Sequence, residues 1–125
     1  MDKRASGSGN TRREGDSPDG LMILDVDCFK TINDTLGHAG GDVVRVEVAK
    51  QLRGTVRDTD MVMRWGGEEF LIYAPKANSD HLKNLAQRVL NVIAETPMYV
   101  ADKTMTITVT GGFLSLPFCW RPSNR

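Results

Sequence analysis

The chain has 125 residues, 40 % hydrophobic and 26 % charged, with 16 basic and 16 acidic side chains and a formal net charge of zero. That length supports one small domain rather than two. The even charge balance removes the electrostatic case for a nucleic-acid partner, and no apolar run approaches the roughly 20 residues of a membrane span.

The first 20 residues, MDKRASGSGNTRREGDSPDG, carry only Met1 and Ala5 as apolar side chains, beside eight charges, four of each sign. They contain no signal-peptide core. Such a segment buries too little surface to offset its ordering entropy and is expected to be a disordered tail over residues 1–20. Leu21-Met22-Ile23-Leu24 is a short apolar run that predicts a buried strand ending in Asp25-Val26-Asp27. Phe29, Ile32 and Leu36 have helical spacing up to a break at Gly37. Val44, Val48, Leu52 and Val56 then follow at i+4 steps and predict a longer helix from Asp42 to Arg57. Asp60 to Arg64 and Glu69 to Tyr73 read as the strands of a hairpin, with Gly66-Gly67 as a two-residue turn that needs positive φ. Asn78 or Ser79 caps a helix carrying Leu82, Leu85, Ala86, Val89 and Ile93, and Pro97 follows its end. Lys103 to Val109 alternates as a final strand. Cys28 and Cys119 stand in no metal-type spacing and read as reduced thiols of a cytoplasmic protein.

The order is strand, helices, hairpin, helix, strand. It predicts an α/β sandwich with a ferredoxin-like β-α-β-β-α-β core, its mostly antiparallel sheet flanked by helices. In that topology the end of the first strand lies beside the hairpin, so Asp25 and Asp27 are expected to face Glu68 and Glu69. Converging carboxylates repel unless a cation neutralises them, and hard oxygen ligands at a partly open site suit Mg²⁺ completed by water and phosphates. Glycines let a phosphate chain approach the backbone closely. The hairpin alone fits a solvated acidic turn as well. The Asp25-Val26-Asp27 terminus tips the reading toward metal and nucleotide.

The stretches LDVDCFKTINDTLGHAGGD and RDTDMVMRWGGEEF closely resemble the GGDEF family of diguanylate cyclases. Both long motifs occur in the family's order and spacing, and the likeness runs from Leu21 to about Phe113. The resemblance implies a palm-like fold and a reaction that joins two GTP molecules into cyclic di-GMP, releasing two pyrophosphates. It implies Mg²⁺, with Mn²⁺ as a substitute, held by Asp25, the Val26 carbonyl, Glu68 and Glu69. It makes Glu68 also the general base and Lys30 the lysine that stabilises phosphate charge. Asn33 and Asp42 fall at the guanine-reading positions, and Phe29, Gly66 and Gly67 at further substrate-binding positions. Outside the motif, Asn33 reads as a helix-surface amide and Asp42 as an N-cap. Arg57-Asp58-Thr59-Asp60 has the RxxD form of the family's inhibitory cyclic di-GMP site, with Arg88 as a supporting arginine. One domain holds one GTP and the product needs two, so the resemblance also implies a homodimer. His38 is expected to order its loop, His81 to lie on a helix surface, and Trp65 to pack near the hairpin.

The sequence departs from the family at several points. Arg45 stands where leucine is usual, and Thr110-Gly111-Gly112 replaces Ser-Ile-Gly. The family's DxLTGLxNRR segment is represented at most by Asn10-Thr11-Arg12-Arg13, and its final helix-bearing region is missing, with residues 118–125 resembling none of it. The expected domain is therefore 21–117, incomplete at its C-terminus. The alternatives to an active cyclase are a catalytically degenerate module that binds GTP or cyclic di-GMP, and a fragment without stable activity.

Overall fold

The computed structural model describes residues 18–116. The expected tail up to residue 17, the Asn10–Arg13 segment and residues 118–125 with Cys119 lie outside the described residues. The elements in chain order are β1 (Asp19–Val26), α1 (Phe29–Thr55), β2 (Met61–Arg64), β3 (Glu69–Ala74), α2 (Ser79–Glu95), β4 (Met98–Val100), β5 (Lys103–Met105) and β6 (Val109–Leu116).

β2, β3, β1 and β6 form one sheet in that order, and every neighbouring pair is antiparallel. This is the split arrangement expected from the sequence, with β1 in the interior between β3 and β6. Met22, Leu24 and Val26 alternate onto the helix-covered face of β1. They join Phe70 and Ile72 of β3, Val44, Val48 and Leu52 of α1, and Leu85, Val89 and Ile93 of α2 in one core. β1 begins at Asp19, ahead of the expected Leu21. The buried Asp19 carboxylate accepts the Tyr73 hydroxyl at 2.5 Å and the Lys76 amide at 2.9 Å, which ties the strand's first residue to the end of β3.

Three expectations are corrected. First, Lys103–Val109 is not one strand. Ala101 and Asp102 both take left-handed φ values, 52° and 65°, and turn β4 into β5 as a separate two-stranded sheet. Thr106–Thr108 belong to no strand, and the main sheet is completed by β6 instead. Second, Gly66-Gly67 is not a two-residue turn. The last ladder pair is Arg64 with Phe70, the Trp65 amide donates to the Glu69 carbonyl at 2.8 Å, and only Gly66 has positive φ, at 104°. The loop is longer because Glu68 is drawn to the end of β1 rather than to β2. Third, Asp42 does not begin a helix. α1 is broken once, at Gly37 (φ 80°, ψ 172°), and is helical again well before Asp42. In α2 the choice of cap resolves to Asn78, whose side chain accepts the His81 amide at 2.8 Å.

Beyond β1, the Asp27 amide donates to the Thr108 carbonyl at 2.9 Å. The Thr108 and Thr110 hydroxyls donate to the Asp27 carboxylate at 2.5 and 2.7 Å. Asp27 therefore faces the start of β6 and not the hairpin, contrary to expectation. The hydroxyls of Thr108, first, and Thr110 hold its pKa below the usual carboxylate value, against a smaller opposing effect of burial.

Two outcomes follow from this packing. A Cβ at Gly111 would press into the Ile23 backbone carbonyl across the ladder. Because backbone cannot move aside cheaply, Gly111→Ala should lower the unfolding free energy by about 1–3 kcal/mol in urea titration; an unchanged midpoint would contradict the close approach. Asp27 has a depressed folded-state pKa, so its contribution to stability is present above the unfolded carboxylate value and is lost as pH falls through the folded one. Thr108→Val should raise the Asp27 pKa and narrow that acid-side loss, as read by carboxyl NMR titration. An unmoved titration would break the assignment.

Candidate functional site

The hairpin tip is seated on the end of β1 by one backbone hydrogen bond, from the Val26 amide to the Glu68 carbonyl at 3.0 Å. Glu69 stands directly opposite Asp25 in the β1–β3 register, and Thr110 flanks Asp25 on the β6 side. Asp25, Glu68 and Glu69 are thus gathered at one end of the sheet, each partly buried. The Asp25 Oδ1 atom is buried and has no hydrogen-bond partner. An anionic oxygen taken out of water without a donor is costly, which makes this atom a candidate ligand for a cation.

Among the described residues, no three His, Cys, Asp or Glu side chains converge as a ready-made metal cluster. Mg²⁺ does not need one. It is commonly held by one or two carboxylates, with phosphates and water completing its octahedron. The orphaned Asp25 oxygen, with Glu68 and Glu69 beside it, is a donor set of that kind.

The α1 side of the site is more crowded than the sequence suggests. Phe29 is 5 % exposed and packs in the core. Lys30 is exposed and has no ion-pair partner among the described residues. Asn33 Nδ2 lies 3.2 Å from His38 Nδ1, while Asn33 Oδ1 is buried and unpartnered. Gly41 sits against this amide, since a Cβ there would collide with Asn33 Oδ1 and come within 3.2 Å of the Phe29 ring. Gly41 thereby lets the two segments of α1 fold onto each other and bring Asn33 near Asp42. The Asp42 side chain is 67 % exposed and paired with Arg45 at 2.5 Å. The same guanidinium donates through Nε to the Gly67 carbonyl and lies over the Phe29 ring, 4.6 Å from its centroid. Trp65 does not pack beside the hairpin as expected but is 62 % exposed.

Arg57, Asp60 and Arg88 form a second cluster, away from the hairpin tip. Arg57 donates to both Asp60 oxygens and to the Pro75 carbonyl, at 2.7 Å for the latter. The Asp60 side chain is fully buried, and Arg57 retains 36 % exposure. Arg88 reaches the Thr55 carbonyl at 3.4 Å. His81 belongs here too. Its Nε2 is buried without a partner, and burial, then the Arg57 charge, push its pKa down. Reading His81 as a plain surface residue missed this, because only the docking of α2 places it beside the RxxD segment. Arg45 had a sequence signal, its departure from leucine, but nothing in the sequence showed what it would grasp.

The profile of the family described as "Diguanylate cyclase, GGDEF domain" matches residues 2–117. Diguanylate cyclase A of Treponema denticola is 35 % identical over 98 residues, a match covering 78 % of this chain and 26 % of that protein. The crystal structure of the diguanylate cyclase SiaD with its activator SiaC, from Pseudomonas aeruginosa, superposes with a TM-score of 0.77 at 33 % identity, covering 87 % of this chain and 42 % of SiaD. The GGDEF domain of DgcB from Caulobacter crescentus, solved with c-di-GMP, superposes with a TM-score of 0.71 at 28 % identity, covering 78 % of this chain and 58 % of that one. The chain thus spans about a quarter of the curated relative and well under half of SiaD. The profile match covers the whole described fold, and the acidic hairpin docks on β1 where the sheet order requires it: the chain belongs to the GGDEF family of diguanylate cyclase domains.

Proposed function

We propose that this chain provides one half-site of a diguanylate cyclase, binding one GTP between α1 and the hairpin and requiring a second, GTP-loaded copy to form cyclic di-GMP. The observation that carries the reading is the buried, unpartnered Asp25 oxygen beside the Glu68–Glu69 hairpin in a chain of this family. Asp25, Glu68, Glu69 and the Val26 carbonyl would hold Mg²⁺, with Mn²⁺ as a substitute, which supplies charge neutralisation at the phosphates when bound. Glu68 would take the proton of the attacking 3′-hydroxyl. That oxygen then bonds to the α-phosphorus of the partner's GTP, and the bond to the bridging oxygen breaks to release pyrophosphate. A second such transfer closes the ring and releases the second pyrophosphate. Lys30, free and exposed on the first turn of α1, is available to the phosphates, and the Gly66–Gly67 backbone allows them close approach. Asn33 and Asp42 would read the guanine edge, where a carboxylate accepts from both N1–H and the exocyclic amine. Most of the acceleration would come from positioning and charge stabilisation.

In the same proposal, Arg57 and Arg88 bind the product and inhibit turnover, with Asp60 holding the Arg57 guanidinium in place. A cytoplasmic location goes with these substrates; no helix among the described residues is long and apolar enough to cross a membrane. A second reading, a receptor that binds GTP or cyclic di-GMP without turnover, is favoured by the internal pairing of Asp42 with Arg45.

Glu68→Gln keeps shape and removes charge, so it should abolish Mg²⁺-dependent GTP turnover with the fold intact by circular dichroism. Retained turnover would remove Glu68 from this role. A wild-type chain that binds cyclic di-GMP yet turns over no GTP would select the receptor reading. Arg57→Ala should weaken cyclic di-GMP binding by about ten- to a hundredfold in calorimetry, the worth of one charged hydrogen bond. Equal affinity would discard the RxxD site.

A further inference from the structure

The Arg45 guanidinium makes three contacts at once: the Asp42 carboxylate at 2.5 Å, the Gly67 carbonyl, and the face of Phe29 at 4.6 Å. Asp42 lies in α1 and Gly67 lies 22 residues beyond Arg45, in the hairpin tip. One side chain therefore bridges the gap between the helix that would read the base and the loop that would meet the phosphates. Its stem is not free to swing, because the guanidinium side chain is only 21 % exposed. A planar cation resting on an aromatic face and hydrogen-bonded at its edge is held in one plane. Among the described residues, Arg45 is the one side chain paired with the exposed Asp42 carboxylate.

We infer that Arg45 is an internal strap across the purine end of the site: it holds the hairpin tip to α1 in the ligand-free chain and competes with a guanine base for the Asp42 carboxylate. This rests on the nucleotide reading above in its second half only. Arg45 is a positioning residue, acting through Asp42 and Gly67. A guanine that displaces it gains the Asp42 acceptor and frees the Gly67 tip in the same event, so base recognition and hairpin mobility are linked through one side chain.

The experiment has two arms on the full chain. In the first, hydrogen exchange of the peptide covering residues 65–69 is measured without nucleotide. Arg45→Leu should speed exchange there by about tenfold, the loss of one charged hydrogen bond, and exchange in β1 should stay unchanged. Arg45→Lys, which keeps the charge but cannot make both hydrogen bonds in one plane, should also be faster. Unchanged exchange at the tip in Arg45→Leu overturns the strap, whatever the nucleotide result. In the second arm, GTP with Mg²⁺ is titrated calorimetrically into wild type, Arg45→Leu, Asp42→Asn and the double variant. Arg45→Leu should bind GTP about tenfold more tightly than wild type, and that gain should vanish in the Asp42→Asn background. Weaker binding by Arg45→Leu, or a gain that survives without the Asp42 charge, overturns the competition. Absence of GTP binding to every variant overturns both the competition and the nucleotide reading, while accelerated exchange would still uphold the strap in the ligand-free chain.

Discussion

The hydrogen bond from the Val26 amide to the Glu68 carbonyl is the contact on which the site depends. β1 and β3 pair antiparallel up to Asp25 opposite Glu69, and the Val26–Glu68 bond carries that pairing one step past the last ladder residue. It pulls the hairpin tip toward β1 and lengthens the loop beyond a two-residue turn. Gly66 absorbs the resulting φ of 104°, which side-chain-bearing residues seldom adopt. Asp25, Glu68 and Glu69 are neighbours because this backbone contact makes them so.

The two acidic residues at the end of β1 illustrate how neighbouring positions diverge. Asp25 remains in the sheet with an unpartnered buried oxygen, while Asp27 is satisfied by two threonine hydroxyls at the start of β6. A carboxylate with its donors in place is a structural clasp. A carboxylate without them is left with an unsatisfied acceptor, which is why the proposed function turns on Asp25 and not on Asp27. The same contrast separates the two arginine–aspartate pairs. Arg57 is doubly bonded to a fully buried Asp60 side chain and anchored to the Pro75 carbonyl, which makes a rigid unit. Arg45 and Asp42 are paired on a carboxylate that is 67 % exposed, where solvent screens the pair.

The glycines of α1 and β6 connect fold to site by close approach. Gly41 lets the helix segment bearing Asp42 pack against Asn33 and Phe29, and Gly111 lets β6 lie tight against the Ile23 carbonyl. β6 in turn supplies Thr110 beside Asp25. The Thr110-Gly111-Gly112 departure from the family's usual residues thus falls on the strand that closes the site.

The sequence by itself determined the first strand, the break at Gly37, the two hairpin strands, the helix carrying Leu82 to Ile93 and, through two long motifs, the family, but not β4 or the division between β5 and β6. The features it did determine are local properties: apolar periodicity, turn-forming residues and motif spacing are written residue by residue along the chain. It misled where a local pattern admitted two tertiary outcomes. Lys103–Val109 alternates as one strand, yet its two ends join different sheets, because a turn at Ala101–Asp102 pairs Lys103–Met105 with β4 and leaves Val109 to β1. Which Asp would face the hairpin, where Glu68 would sit, and what Arg45 would hold depended on contacts between elements far apart in the chain. Those contacts are set by packing the helices on the sheet, and only the folded structure decides them, because no single segment carries the geometry of its partner.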